Sequence, residues 1–328
     1  MNFTAVRAGF LTTVQDLGRV GFRDVGVPMG GALDQYALRV ANLVVANDES
    51  AAGLEITFGN VRLQFHDERL VAWCGGGFPV TAVTHVLSAG RPALLRAGEE
   101  IFFRAAEFGC RAWLAISGGI DVPPVLGSRS TDMRGAFGGF AGRTLRDGDE
   151  IPVGASSAMT AQIGHRIGDA APASWSASAE WASVGRAPGL LRFVRGIDWD
   201  RFEEEAHATL IRQAFRVSPD SDRMGVRFES SPLKLKHPSD LLSEAVAPGT
   251  IQVPPSGEPI ALLGDCQTIG GYPKIAHVIS VDLSVAAQLR AHERVHFREI
   301  SVAEAHRLLV RREEELARFR VGLEAVLR

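Results

Sequence analysis

Gln252, Asp265, Gln267, Thr268, Tyr272 and Lys274 fall in one short stretch, SEAVAPGTIQVPPSGEPIALLGDCQTIGGYPKIAHVI, at or just beyond the ends of three apolar runs (250–253, 260–263 and 276–279). The turns between those runs, Pro-Gly, Pro-Pro-Ser-Gly and Gly-Gly-Tyr-Pro, read as tight connections between antiparallel strands. A rigid sheet thus offers an ammonium, a carboxylate and two amides on its loops, where function concentrates. Lys274 stands out because 32 of the chain's 35 cationic residues are arginine, leaving Lys234, Lys236 and Lys274 as the lysines. Arginine is a planar fork suited to carboxylate pairs, whereas lysine is a compact point charge that approaches a phosphate or a developing oxyanion. The alternative for Lys274 is a surface cation after a turn.

Other polar groups with chemical potential lie upstream. In SPDSDR, Asp222 and Arg223 are neighbours that an extended backbone points to opposite faces, so one of the two faces a given site. The run Gly127-Ser128-Arg129-Ser130-Thr131-Asp132 reads either as an anion-binding turn built on Arg129 or as a hydrogen-bonded loop. Near the N-terminus, FLTTVQDLGRVGFRDVGVPMGGALD carries Gln15, Asp16, Arg19 and Arg23 with little apolar periodicity, and is expected to be a loop or short hairpin. Asp16 and Arg19 there either pair with each other or face a ligand. Cys266, next to Asp265, is either a nucleophile or a buried strand-end thiol. Trp73-Cys74-Gly75-Gly76-Gly77 lacks the Gly-Lys-Ser/Thr of a phosphate loop, so close backbone packing or a bulge is its expected role.

The elements that must position these groups are mostly strands. Residues 54–58, 61–65, 70–73, 80–86, 100–104 and 111–117 are short strand-like runs with Gly-rich connections, which predicts an antiparallel sandwich or closed barrel. One long helix is expected in the first half, at 34–45, with Asp34 in its first turn. Between 155 and 188 the composition turns to Ala and Ser with scattered Gly, Pro and Trp, and a domain crossing is placed there. A strand at 190–194, a helix at 200–215 capped by Asp200 with Glu203, strands at 215–217 and 224–229, a helix at 282–289 and a strand at 294–297 follow. Ser301 with Glu304 has the capping-box pattern, and Ala305, Leu309, Leu316, Phe319, Leu323 and Leu327 form an apolar stripe on a terminal helix. That stripe must bury against the body or against another copy. The expected domains are 1–185, 186–300 and the helix 301–328.

Composition excludes several classes. A hydrophobic share of 46% and a charged share of 22% describe an ordinary globular chain, and a net charge of -3 gives no basic footprint for nucleic acid. No apolar run reaches membrane-spanning length and no secretion signal is evident, so a cytoplasmic location is expected. Cys74, Cys110 and Cys266 form no CxxC pair, which argues against a disulfide scaffold or a zinc site.

The ordered motifs TTVQDLGRVGF, VPMGGALD, SGGIDVPPVLGSRSTD, SDRMGVR and above all APGTIQVPPSGEPIALLGDCQTIGGYPKIA resemble the biotin-dependent carboxyltransferase family, from about Gly9 to Phe297. That family groups the C subunit of prokaryotic 5-oxoprolinase, the sporulation regulator KipA, and the second half of the carboxyltransferase region of urea carboxylase, historically labelled allophanate hydrolase subunit 2. Ala245, Ile269 and Cys266 depart from its usual pattern. The resemblance implies a mainly β chain of two cyclophilin-like β-barrel domains with a few helices. It implies ATP-dependent opening of 5-oxo-L-proline to L-glutamate, a hydrolase activity expressed only in complex with a KipI-like B subunit and a third subunit. The alternatives it carries are a urea-type carboxyltransferase acting on biotin held by another chain, and a non-catalytic regulator. No lysine here has the neighbouring methionine of a biotin carrier site, so no biotin is expected on this chain; ATP is expected in the complex. For such a reaction Lys274 is the candidate cation over the lactam oxygen and Asp265 the general base. Arg223 is the anchor for the substrate carboxylate, and Gln252 and Gln267 orient amides. Thr268, Tyr272, Asp222, Arg129, Asp16 and Arg19 complete the candidate substrate contacts.

Overall fold

A computed structural model describes residues 1–82, 85–167, 173, 175–182, 189–237 and 241–327. The chain divides into two compact units: residues 1–19, 30–186 and 315–328 form the first, and residues 20–29 and 187–314 the second. The expected crossing at 185/186 lies outside the described residues.

In the first unit the strands are β1 (Asn2–Arg7), β2 (Leu11–Gln15), β3 (Gly53–Thr57), β4 (Val61–Phe65), β5 (Arg69–Gly77), β6 (Val80–Ala82), β7 (His85–Val86), β8 (Ala93–Leu95), β9 (Glu100–Phe103), β10 (Phe108–Ile116) and β11 (Glu150–Pro152). They pair into a six-stranded sheet, β11-β1-β4-β9-β6-β7, and a five-stranded sheet, β2-β3-β10-β5-β8. Alternate residues of the two sheets, among them Phe3, Phe65, Val80 and Phe103 from the first and Leu54, Trp73, Ala112 and Leu114 from the second, share one apolar core. This is the packing that period-2 alternation demands. Within the expected loop or short hairpin, residues 11–15 form a strand that pairs antiparallel with β3, where the polar residues Thr12, Thr13 and Gln15 are buried. The Gly-rich run after Trp73 continues β5: Gly75 has φ +136°, and a Cβ there would sit 2.4 Å from the Arg111 carbonyl oxygen. Close backbone approach accounts for those glycines.

Helix α1 (Gln35–Val44) forms as its periodicity predicts, and Asp34 is its N-cap, accepting the Ala37 N–H at 3.0 Å. It is not the one long helix of this half. The Ala- and Ser-rich segment also folds α2 (Ala158–Ile167) and α3 (Ala179–Ala182).

The second unit contains β12 (Gly189–Arg195), β13 (Phe215–Val217), β14 (Gly225–Glu229), β15 (Glu244–Ala245), β16 (Thr250–Gln252), β17 (Ile260–Leu262), β18 (Ile269–Gly270), β19 (Lys274–Val278) and β20 (Arg294–Glu299). Seven of them close a barrel in the order β12-β19-β16-β17-β14-β13-β20, with β20 returning parallel to β12; β15 and β18 make a small sheet of their own. Phe215, Phe228 and Phe297 are buried and meet edge to face, at centroid distances of 5.1 Å (Phe215–Phe297) and 5.3 Å (Phe228–Phe297). Helix α4 (Glu204–Arg212) begins later than expected, after a single helical turn at Trp199–Arg201. Glu203 is its N-cap without a side-chain bond, which corrects the expected Asp200–Glu203 cap. The short helix α5 (Leu283–Ala286) precedes β20.

The last helix, α6 (Val302–Leu327), starts where the capping pattern places it, with Ser301 Oγ accepting the Glu304 N–H at 3.1 Å. Leu316 and Leu323 of its apolar stripe are buried in the first unit, where Phe319 meets Trp181 edge-on at 5.3 Å; Leu309 stays exposed.

Candidate functional site

The barrel of the second unit has a cavity of about 440 Å3 whose wall includes Asp222, Gln252, Gln267 and Tyr272. Gln252 ends β16, is 1% exposed, and forms the centre of an amide chain. Its Oε1 accepts from Gln267 Nε2 at 3.2 Å, and its Nε2 donates to the Tyr272 carbonyl oxygen at 3.3 Å. Gly270 makes that geometry possible, since a Cβ there would lie 2.7 Å from Gln252 Nε2. The amides are therefore held in fixed orientation at the cavity wall, which suits recognition of an amide or lactam. The charged residues of the wall are mostly acidic, with Asp220, Asp222, Glu229 and Glu258 against Arg227, and the remainder is largely apolar, including Met224, Phe228, Ile260 and Leu262. Asp222 is occupied by the Met224 and Gly225 N–H groups at 2.8 and 3.2 Å, and Glu229 by Arg216 Nε at 2.7 Å.

Lys274 opens β19 directly across from Gln252. It is 8% exposed and does not line the cavity; its Nζ donates to Glu244 Oε2 at 2.9 Å and stands 4.0 Å from Asp198 Oδ2. Asp198 also holds the backbone, because its Oδ2 accepts the Lys274 N–H at 2.9 Å while its own N–H donates to the Lys274 carbonyl oxygen at 3.2 Å. Lys274 is thus a positioned, partly desolvated ammonium and not a surface cation. The contact holds the Glu244 carboxyl below the usual carboxylate range, first through the hydrogen bond from Lys274 and then through its charge.

Asp265 and Arg223 are brought together, but with each other. Arg223 Nε meets Asp265 Oδ2 at 2.8 Å and Nη2 meets Oδ1 at 3.1 Å, and the Asp265 N–H donates to the Arg223 carbonyl oxygen at 3.1 Å. Asp265, the expected general base, and Arg223, the expected carboxylate anchor, are thus paired with each other. The guanidinium fork of Arg223 is turned to Asp265, a charge-assisted bidentate pair. Neither residue lines the cavity, nor does Thr268, which is 8% exposed and accepts the Val246 N–H through its carbonyl oxygen at 3.0 Å. Cys266 is buried, and burial pushes its thiol up to about 11, so it is a packing residue and not a thiolate nucleophile.

The three candidates from the first unit form a loop network. The Asp16 carboxylate accepts from Gly18 N–H (2.8 Å), Ser128 Oγ (2.6 Å), Ser130 Oγ (2.5 Å) and Arg129 N–H (2.5 Å), so it is filled by the 128–130 turn and not by Arg19. The Arg129 guanidinium goes to the Val122 carbonyl oxygen (2.8 Å) and Asp121 (3.1 Å). Arg19 is 1% exposed, donates to the Ser130 carbonyl oxygen, and lies 4.6 Å over the Phe137 ring. These contacts make the turn at 127–132 a hydrogen-bonded loop in which the Arg129 side chain binds the protein itself.

Asp198, Glu244 and Gly270 carry no signal in the sequence that marks them out. Asp198 and Glu244 are 76 and 30 residues from Lys274 in the chain, and only the tertiary fold joins them. No group of three or more His, Cys, Asp or Glu residues among the described residues has the geometry of a metal site, and none of the described helices is long and apolar enough to cross a membrane.

Residues 25–299 match the family described as carboxyltransferase domain, subdomain A and B. The chain is 38% identical to the 5-oxoprolinase C subunit of Escherichia coli K12 over 92% of both chains. It is 34% identical to the protein of the same name from Haemophilus influenzae over 93% of this chain and 92% of that one. Among solved structures, the urea carboxylase of Kluyveromyces lactis superposes with a TM-score of 0.87 at 29% identity, covering 97% of this chain; this chain spans 29% of that longer protein.

Proposed function

Because the chain belongs to the carboxyltransferase domain family, subdomains A and B, and matches the bacterial 5-oxoprolinase C subunits along nearly their whole length, we propose that it is a subunit of an ATP-dependent 5-oxoprolinase. In this reading it works with a KipI-like B subunit and a third subunit in the cytoplasm to open 5-oxo-L-proline to L-glutamate. The observation that carries it is the 38% identity over 92% of both chains, since the urea enzymes match as a fraction of a much longer polypeptide.

A five-membered lactam resists water because attack costs it amide resonance. A site that opens it must polarise the carbonyl oxygen, hold the ring, and present water. The Gln252–Gln267 chain supports recognition of the lactam amide, with Tyr272 and Asp222 on the same wall. Lys274, opposite Gln252 on the neighbouring strand though outside the cavity wall, is in this reading the ammonium that meets an anionic oxygen of the substrate or of its phosphorylated form. The Arg223–Asp265 fork and Thr268 hold the loop between β17 and β18 that carries Gln267. The four acidic residues against one arginine on the cavity wall favour the reading that ATP is bound by a partner subunit. The test is reconstitution. The chain mixed with its B-type and third subunits, ATP and 5-oxoproline should release glutamate, and no subset should.

The urea carboxylase likeness favours one second reading, transfer of a carboxyl group from biotin carried by another chain. Product formation that depends on bicarbonate and a biotinylated carrier, with none from 5-oxoproline and ATP alone, would establish it instead.

A further inference from the structure

The Lys274 ammonium has two carboxylate neighbours of different character. Asp198 is 6% exposed and fixed by three further bonds: the Lys274 N–H, its own N–H to the Lys274 carbonyl oxygen, and Arg201 Nε at 3.1 Å. Glu244 is the nearer partner at 2.9 Å, yet its side chain is 61% exposed against 10% for Lys274. It sits on β15, a two-residue strand whose ladder is made with β18 (Glu244 opposite Gly270) and not with the barrel. The strand partner of Glu244 is therefore the glycine that seats the Gln252 amide.

The geometry points to Glu244 as an internal stand-in for the ligand's anionic group: its carboxylate occupies the position over Lys274 that a ligand carboxylate or phosphoryl oxygen takes on binding, and it swings out to solvent when that group arrives. The chemistry favours exchange. The Glu244 side of the pair is open to water and salt, which weaken its single hydrogen bond, while the buried ammonium behind it still needs an anion. Asp198 alone, at 4.0 Å, keeps the lysine in place but does not make its short contact. Glu244 would thereby set specificity. A neutral ligand cannot displace it, and an anionic one must compete with it. The carboxyl stays ionised throughout the neutral range, since its contact with Lys274 depresses its proton affinity.

This inference rests on the reading of Lys274 as part of the ligand site, and it can be tested without turnover. The chain has three lysines, so acylation with an amine-reactive ester followed by peptide mass spectrometry reads Lys274 against the exposed Lys234 and Lys236 in the same sample. Labelling is measured for wild type and Glu244→Gln over a series of 5-oxoproline concentrations, with inorganic phosphate in a parallel series and equal melting temperatures as the folding control. In Glu244→Gln, Lys274 should label at least threefold faster without ligand, and half-protection should need at least fivefold less anion than in wild type. Lys234 and Lys236 should label equally in both proteins. Protection by 5-oxoproline but not phosphate identifies a carboxylate subsite, and the reverse a phosphoryl subsite. Half-protection at the same concentration in both proteins, or no protection of Lys274 by either anion in Glu244→Gln, overturns the proposal. If the reconstituted complex makes glutamate while the two half-protection concentrations coincide, the Glu244 inference alone fails. If the concentrations differ but no glutamate forms, the assignment of the reaction fails and the anion subsite stands.

Discussion

Gly270 faces the amide of Gln252 so closely that an added Cβ would come within 2.7 Å of Nε2 and 3.2 Å of Oε1. Gln252 cannot retreat, because it is 1% exposed and tied on both sides, to Gln267 and to the Tyr272 carbonyl oxygen. A methyl group at position 270 must therefore displace the amide or the β15–β18 sheet. Gly270→Ala is expected to lower kcat/KM of the reconstituted complex by about 10- to 100-fold, the usual consequence of moving a positioned group by around an ångström. Most of the change should appear in KM, because a recognition group has moved. The melting temperature should shift little, since Gly270 lies outside the closed barrel.

Arg223 and Asp265 share two hydrogen bonds with side chains 7% and 17% exposed. Removing one partner of a desolvated pair leaves the other charge uncompensated, so Arg223→Ala and Asp265→Ala should each cost about 3 kcal/mol of unfolding free energy. The double variant should cost less than the sum by about 1 to 3 kcal/mol. Urea unfolding of the four proteins measures that coupling. Additive losses would show that the fork contributes no specific interaction.

The strands that position the site are plain in the sequence because their apolar runs are punctuated by Pro and Gly. Lys274 is conspicuous through its rarity, and Asp34 and Ser301 cap the helices they precede. The elements that differ from expectation share a cause, which is that tertiary contacts outweigh local pattern. Residues 11–15 carry two threonines and a glutamine that look solvated but pair along β3. The α2 and α3 segments are too poor in large apolar residues for a helical period to show. The roles of Asp265 and Arg223 are not legible because neither the 42-residue separation nor the types of the two residues reveals that they neutralise each other. For the same reason the partners of Lys274 are invisible: contacts between residues 30 and 76 positions apart leave no trace in spacing.

His277 is mostly buried in β19, where desolvation depresses its pKa below the ordinary 6.5. Its Nδ1 lies 3.4 Å from Thr250 Oγ1. In the unfolded chain the imidazole protonates as pH falls through about 6.5, while in the folded chain it does so at lower pH. The unfolded state therefore binds more protons in that interval, and stability is full above the unfolded value and declines as pH falls below it. His277→Gln should flatten this part of the profile. Urea midpoints at pH 7.5, 6.5 and 5.5 should fall progressively for wild type and more gently for the variant. Parallel slopes would mean that His277 keeps its solution affinity for protons.

Lys274→Ala separates chemistry from folding. The alanine keeps the backbone N–H and carbonyl that bond Asp198, and Arg201 remains on the same carboxylate, so the turn at 196–199 and the start of β19 retain their geometry. What disappears is the ammonium. One charged donor to an anionic oxygen contributes about 3 kcal/mol, so glutamate formation by the complex should fall by about 100-fold or more in kcat/KM, with an unchanged far-ultraviolet spectrum and an unfolding midpoint close to wild type. Lys274→Arg should restore little, because a planar guanidinium forks onto the neighbouring carboxylates Asp198 and Glu244 and does not present the compact point charge of lysine. A Lys274→Ala complex that turns over at the wild-type rate would remove the ammonium from the reaction and leave it a role in holding Glu244.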